Sequence, residues 1–436
     1  MANPQQRPEL ETYLDRRMRF ARRHRGRWPG TIVEPYDLLE PHPIGQKDLV
    51  AIGRATRGVC HIYRRTAQLL MSMPYNVYES LGIPPETITL SQALLPARDL
   101  LYARLDLVPS QEGYRLLECN FDVPGLLVET FSINELACDL LCRPNPNRRA
   151  KLAFEAQLSN ELRASATYLG KSLEDCVTVV CSRRAYTRDR DVAKFLLEAG
   201  DAMGSRRLQL QFLDELRCDA HGLYDHEDRR IDILIRVYPL HWLCQGAIAD
   251  RNVRGNFLDC RQLLGLLTER RLSLINSPFS SVLESKGIQA LIWALYENGS
   301  YFDGREQEII RRHFLPTYFH KPNNLGKLVR KPMYGREGSS IMVLDAAGTV
   351  LEASEIGNQT DEPAIFQQHI DIPSQRLMTE AGMLDLRVIT SALAIDGRTV
   401  GVCYRAGMGI TSASWWVMPA YFDSCDLPRV FGPSIS

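Results

Sequence analysis

The chain has no net charge. Of its 436 residues, 52 are Lys or Arg and 52 are Asp or Glu. No global field draws it to nucleic acid or to an anionic membrane. Long apolar runs are also missing. The longest, such as "LLGLLTERRLSL", are broken by charge before the roughly 18 residues that a membrane helix needs. The opening residues "MANPQQRPELETYLDRRMRF" hold no apolar core of the secretory kind. The expectation is a cytoplasmic protein with no membrane partner. Its eleven cysteines are scattered and odd in number, which argues against a disulfide framework. Cys138-x3-Cys142 and Cys176-x4-Cys181 miss the usual structural-zinc spacing, and no Cys or His cluster completes a tetrahedral set. The thiols read as reduced and mostly buried.

What is present is ordinary soluble material, 45% hydrophobic and 24% charged. The length allows roughly two to four structural units. Residues 1–170 open with an arginine-dense segment (Arg16, Arg17, Arg19, Arg22, Arg23, Arg25, Arg27) that reads as a solvated helix face. The alternative, a patch for RNA or an anionic substrate, predicts salt-sensitive RNA retention. Helical stretches such as "DLVAIGRATRGVCHIYRRTAQLLMSM" follow. Then come two strands, "YARLDLV" and "YRLLECN", joined by a "PSQEG" turn, and a helix over 126–141.

Residues 171–275 change character. "CVTVVCS", then the amphipathic "DRDVAKFLLEAGDAMG", then "RLQLQFLDEL" and "IDILIRVYPLHWL" give a strand–helix–strand order. That order predicts a small parallel α/β unit. Residues 276–436 begin with one helix, "SVLESKGIQALIWALYENG". They continue as strands "KLVRKPM", "SSIMVLD", "AIFQQHI", "LDLRVITSALAI" and "RTVGVCYRA", with the half-buried alternation of antiparallel sheet. The fold class expected is therefore mixed α/β (α+β).

Two stretches carry chemistry. In "LVRKPMYGREGSSIMVL", Lys331 ends a strand, and Arg336, Gly338, Ser339 and Ser340 occupy the turn before the next. A glycine-containing turn lets backbone N–H groups converge on an anion, and Lys and Arg are natural phosphate partners. A charged hairpin turn accounts for the same residues. In "ARLDLVPSQEGYRLLECN", Arg104 and Asp106 share one strand face, as do Glu118 and Asn120. Side by side, Asp106, Glu118 and Asn120 present hard oxygens suited to Mg²⁺. The other reading is a hairpin face turned to water. Cys119 points to the opposite, buried face. His241 and Trp242 read as packing at a strand end.

R-x-D on one strand, E-x-N on the next and K-P-x-x-x-R-E-G far downstream together resemble the glutathionylspermidine synthase family of ATP-grasp ligases. "IDILIRVYPLHWL", "SVLESKGIQALIWALY", "AIFQQHIDIP" and "VGVCYRAGMGIT" match family segments in the same order, so the resemblance covers about Leu100 to Phe422. It implies a permuted ATP-grasp with antiparallel sheets and an inserted pre-ATP-grasp-like domain at 171–275. The nucleotide-binding region would be 276–436, and the metal strands would close 1–170. It implies ATP and Mg²⁺, with Asp106, Glu118 and Asn120 as metal ligands and Arg104 facing the acyl carboxylate. Lys286 and Lys331 would meet ATP phosphates, with Arg336 on the transferred phosphoryl group and Gly338 in the covering loop. Gln367 would lie beside the adenine and Arg387 near phosphate. Arg405 matches a strand arginine, and Glu337 the glutamate of the loop. Val123 and Gly125 stand where the family carries hydroxyls, and Ala406 where it carries Glu. The implied activity is an ATP-dependent carboxylate–amine ligase acting through an acyl phosphate, with the acyl donor and amine left open. The alternative is a non-catalytic nucleotide-binding or regulatory protein on the same fold.

Overall fold

The computed structural model describes residues 7–24, 26–28, 39–93, 102–201, 208–241, 260–323, 325–336, 338–354, 362–411 and 415–423. Trp242, Glu337, Arg25 and the end of the helix expected near Gly204 lie outside the described residues.

Three sheets organise the chain. The largest has six strands. Its main path runs Trp416–Met418, Arg398–Gly407, Gly382–Ile395, Ala103–Ser110, Gly113–Asn120, and Ser374–Thr379 adds to the first half of Gly382–Ile395. A second, antiparallel sheet orders Thr317–Tyr318, Ala364–Gln368, Leu328–Pro332, Met342–Leu344, Val350–Ala353. The third is the parallel sheet that the strand–helix–strand pattern predicts, ordered Ser273–Ile275, Ile233–Arg236, Thr178–Ser182, Leu208–Phe212. Thr178–Ser182 is buried throughout, as a central parallel strand must be.

The helix Gln46–Leu70 covers the back of the large sheet. Its Ile52, Val59, Ile62 and Tyr63 follow the helical period and are buried. Tyr63 packs on Phe121 at 4.8 Å between ring centroids, directly behind the strand that carries Glu118. Cys119 is buried on this rear side, as alternation predicts, and burial pushes its thiol well above the usual range. The arginine-dense helix Arg7–His24 buries Tyr13 and Phe20 and leaves Met18 half exposed. No helix among the described residues is long and apolar enough to cross a membrane.

Three expectations change. The first hairpin turns on Gln111 and Glu112 alone, because Pro109 and Ser110 still pair with Tyr114 and Gly113. Gly113 makes the tight return possible with φ +120°. The helix expected from Leu126 contains a π-helical turn, Glu129–Ile133, before Asn134–Leu140. The single helix expected over 281–299 is two, Ser280–Leu283 and Gly287–Asn298. The break is local chemistry. Ser285 Oγ donates to Leu81 O and accepts from Gly287 N. A Cβ on Gly287 would stand 2.8 Å from that carbonyl, so only glycine allows the approach.

Candidate active site

The cleft begins at the first hairpin. Asp106 and Glu118 are direct cross-strand partners, as are Arg104 and Asn120. The register shifts after Asp106, so Leu117 has no opposite number. Such a bulge frees a carbonyl from the ladder. Leu117 O is used: it accepts from Lys331 Nζ at 3.1 Å and from Gln367 Nε2 at 3.3 Å. The second sheet thus docks on the first through a lysine.

Lys331 and Val329 are two apart on one strand and both face the cleft. Lys331 Nζ donates to Gln367 Oε1 at 2.7 Å, and Gln367 Nε2 donates to Gln289 Oε1 at 2.8 Å. Gln367 is only 1% exposed. Its carboxamide therefore closes on Lys331 and Gln289, and what it visibly does is hold the lysine.

Arg104 grips Asp106 with two bonds of 3.1 Å, and Ser391 Oγ donates to the same carboxylate at 2.7 Å. Arg405 Nη1 stands 3.9 Å from Asp106. Lys286 Nζ lies 3.4 Å from Glu118 and donates to Gly335 O at 2.8 Å. Burial alone would raise Glu118; Lys286, Lys331, Arg104 and Arg405 outweigh it and hold the carboxyl at about 2. Burial pulls the Lys331 ammonium down to about 8, against the opposing pull of Glu118, and with the repulsion of Lys286 adding to the fall.

The loop after Lys331 folds over this cluster. Arg336 Nη1 bonds Glu284 at 3.0 Å, and Gly338 takes φ +75°. Both line a cavity of about 320 Å³ whose wall also includes Arg104, Asp106, Glu118, Asn120, Lys331 and Gln367. Arg387 is on that wall too, but away from the cluster. It pairs with Glu352 at 3.1 Å and with Gly409 O at 3.0 Å, bridging the two antiparallel sheets. Of the expected residues, the hairpin set, Lys331, Gln367, Arg336, Gly338 and Arg387 line the cavity, Lys286 meets it at Glu118, and the Arg387 guanidinium is engaged with Glu352 of the second sheet.

His241 packs edge-on to Tyr334 at 4.7 Å, and burial beside Arg336 lowers its imidazole to about 4. That is a packing position, as expected. Sequence reasoning missed Glu284, Ser391 and Gln289. Glu284 had one signal, the "SKG" that follows it, since glycine after a polar pair marks a break in a helix.

The fit to a divalent cation can be tested on the donors. Among the described residues no three His, Cys, Asp or Glu side chains converge on one point. The set on offer is two carboxylates and an amide. Asp106 and Glu118 are opposite each other and Glu118 is ionised; Asn120 Nδ2 is buried with no hydrogen-bond partner among the described residues. That orphan is an N–H donor and cannot ligate a cation, so the fit rests on oxygens alone: the two carboxylates and the carboxamide oxygen of Asn120 are hard donors of the kind that hold Mg²⁺ with few protein ligands.

Antiparallel sheets closing on a cleft of lysines, arginines and paired carboxylates, with a parallel α/β sheet beside them, make an ATP-grasp-like α/β protein. Residues 43–423 match the family model described as glutathionylspermidine synthase preATP-grasp, and the chain belongs to that family. The match starts well upstream of Leu100, so the helices that support the hairpin from behind are part of it. Over 157 residues the chain is 25% identical to a Haemophilus influenzae protein named as an acid–amine ligase; the aligned part is 34% of this chain and 33% of that relative. A glutathione synthetase-like effector from Globodera pallida, solved in its apo form, has a similar fold. Its TM-score is 0.59 at 12% identity, over 97% of this chain and 98% of that one.

Proposed function

We propose that the protein is an ATP-dependent carboxylate–amine ligase that works through an acyl phosphate. The observation that carries this reading is the meeting of Asp106, Glu118 and Asn120 with Lys331, Lys286 and Arg104 at one cavity under the Arg336 loop. Val329, Ile341, Val343, Ile370, Ile372 and Ile389 supply an apolar slot on the same wall, suited to a purine.

A carboxylate is a poor electrophile. One of its oxygens attacks the γ-phosphorus of ATP, the bond to the bridging β–γ oxygen breaks, and ADP leaves. The amine nitrogen then attacks the acyl carbon, phosphate leaves with the C–O electron pair, and the nitrogen gives up a proton. Lys331, Lys286 and Arg336 hold the phosphates and offset charge that develops on the transferred group. Arg104, on the cavity wall beside Gly125, orients the acyl carboxylate. Asp106, Glu118 and Asn120 would hold Mg²⁺, which supplies charge neutralisation across the phosphates. Gln367 keeps Lys331 aimed.

The test is a screen of carboxylic acids and amines scored by ADP release, with hydroxylamine as a second acceptor. Acid-dependent ADP release and a hydroxamate product are expected. ATP binding with no turnover across the screen, and no hydroxamate, would favour a nucleotide-binding role instead.

Lys331 also predicts a pH dependence. Its ammonium titrates near 8 in the free protein, and ATP phosphates need it charged. Triphosphate affinity is therefore expected to fall above that pH, by up to about tenfold per unit, because each binding event must then take up a proton. Titration calorimetry in buffers of differing ionisation enthalpy reads that uptake. In Lys331→Arg the proton uptake should vanish. A flat profile in the wild type would remove Lys331 from the phosphate site.

A further inference from the structure

We propose that Glu284 is the positioning residue that couples the Arg336 loop to the end of the Glu118–Asn120 strand. The proposal rests on the ligase reading above and adds a residue to it. Glu284 lies in the break between the helices Ser280–Leu283 and Gly287–Asn298, two residues before Lys286. Both of its carboxylate oxygens are used, each on a different part of the site. Oε1 accepts from Arg336 Nη1 at 3.0 Å. Oε2 accepts from Phe121 N at 2.7 Å and Asp122 N at 3.1 Å, the two amides immediately after Asn120. One nearly buried planar group (9% exposed) thus fixes the distance between the loop arginine and the strand end. Charge-assisted bonds of this kind are short and directional.

The loop backbone is anchored separately. Lys286 N donates to Met333 O at 2.8 Å, Lys286 Nζ to Gly335 O at 2.8 Å, and Tyr334 OH to Ser281 O at 2.6 Å. Those contacts survive a change at Glu284. What Glu284 adds is a charged acceptor for the Arg336 guanidinium, which Val123 O also meets at 3.4 Å, and for the Phe121 and Asp122 amides, whose carbonyls Asn276 Nδ2 holds separately. A glutamine cannot replace it. Its NH₂ would face either the guanidinium or the two backbone N–H groups, donor against donor. An aspartate keeps both acceptors on a shorter arm.

Glu284→Gln and Glu284→Asp separate this role from a purely structural one. In nucleotide-free protein, amide exchange at Phe121 and Asp122 is expected to quicken at least tenfold in Glu284→Gln, with less change in Glu284→Asp. Affinity for a nonhydrolysable ATP analogue with Mg²⁺ should weaken about tenfold or more in Glu284→Gln, while AMP affinity stays within about twofold. Glu284→Asp should recover part of the loss. Wild-type exchange at both amides, or equal losses for AMP and the triphosphate, would overturn the proposal. A wild-type protein that binds no ATP analogue would overturn the ligase reading itself, and the exchange result would still decide whether Glu284 seats the strand end.

Discussion

Arg336→Ala is expected to fold as the wild type does and to lose roughly 10²–10³ in kcat, the usual effect of removing one preorganised donor from a developing charge. The side chain is 24% exposed and belongs to a turn, so its loss opens no core cavity. Its partner Glu284 keeps the Phe121 and Asp122 amides and is not stranded without donors. Arg336 Nη2 also reaches Val123 O at 3.4 Å, which holds the guanidinium over the mouth of the hairpin rather than out in water. Arg336→Lys should recover a part only, since a point charge lacks the planar fork. ADP release at saturating substrates, with thermal unfolding as the folding control, measures both. Turnover equal to wild type in the alanine variant would remove Arg336 from the chemistry.

Asp122→Ala is expected to act on stability, by about 3–5 kcal/mol, because it strands a buried guanidinium. Arg236 and Asp122 are each only 1% exposed at the side chain and meet at 2.7 Å. Asp122 accepts in addition from Leu240 N and Ser280 Oγ, both at 2.8 Å. Burial pushes the Asp122 carboxyl up, and Arg236 with these donors more than reverses it, so the group ends below its ordinary range. Its contribution is present above the ordinary carboxylate range and is lost as pH falls through the depressed value. Urea unfolding at neutral pH reads the cost. A second change, Arg236→Met on the Asp122→Ala background, should return part of it by removing the orphaned charge. If the single variant unfolds at the wild-type midpoint, the pair is not the tie it looks to be.

Much of this molecule can be read along the chain, and the remainder fails for a common reason. "YARLDLV" and "YRLLECN" declare a hairpin because period-two alternation is local, but the short turn by itself would set Asp106 opposite Leu117, and only the bulge brings Glu118 there. The parallel sheet declares itself through β-branched runs around an amphipathic helix. By contrast, the bulge at Leu117, Ser391 on Asp106 and Gln289 on Gln367 each depend on a partner remote in sequence. Alternation says which face a residue takes; it does not say what will stand across from it. Arg104 is a middle case: its shared face with Asp106 was legible, its two-bond grip on that carboxylate was not. The split of the Lys286 helix was written in Ser285 and Gly287, but the carbonyl that requires it belongs to Leu81.

The sheet order bears on how the chain is made. The strand carrying Arg104 and Asp106 pairs on one side with its own hairpin and on the other with Gly382–Ile395. Asp106 and its partner Ser391 are 285 residues apart. At typical synthesis rates the first waits on the order of 15–60 s for the second to emerge. Through that interval the hairpin has one edge open, next to the ionisable residues of the future cleft. A nascent chain in this state has a hairpin but no active site. Its open edge is the place where a chaperone, or a neighbouring nascent chain, would bind first.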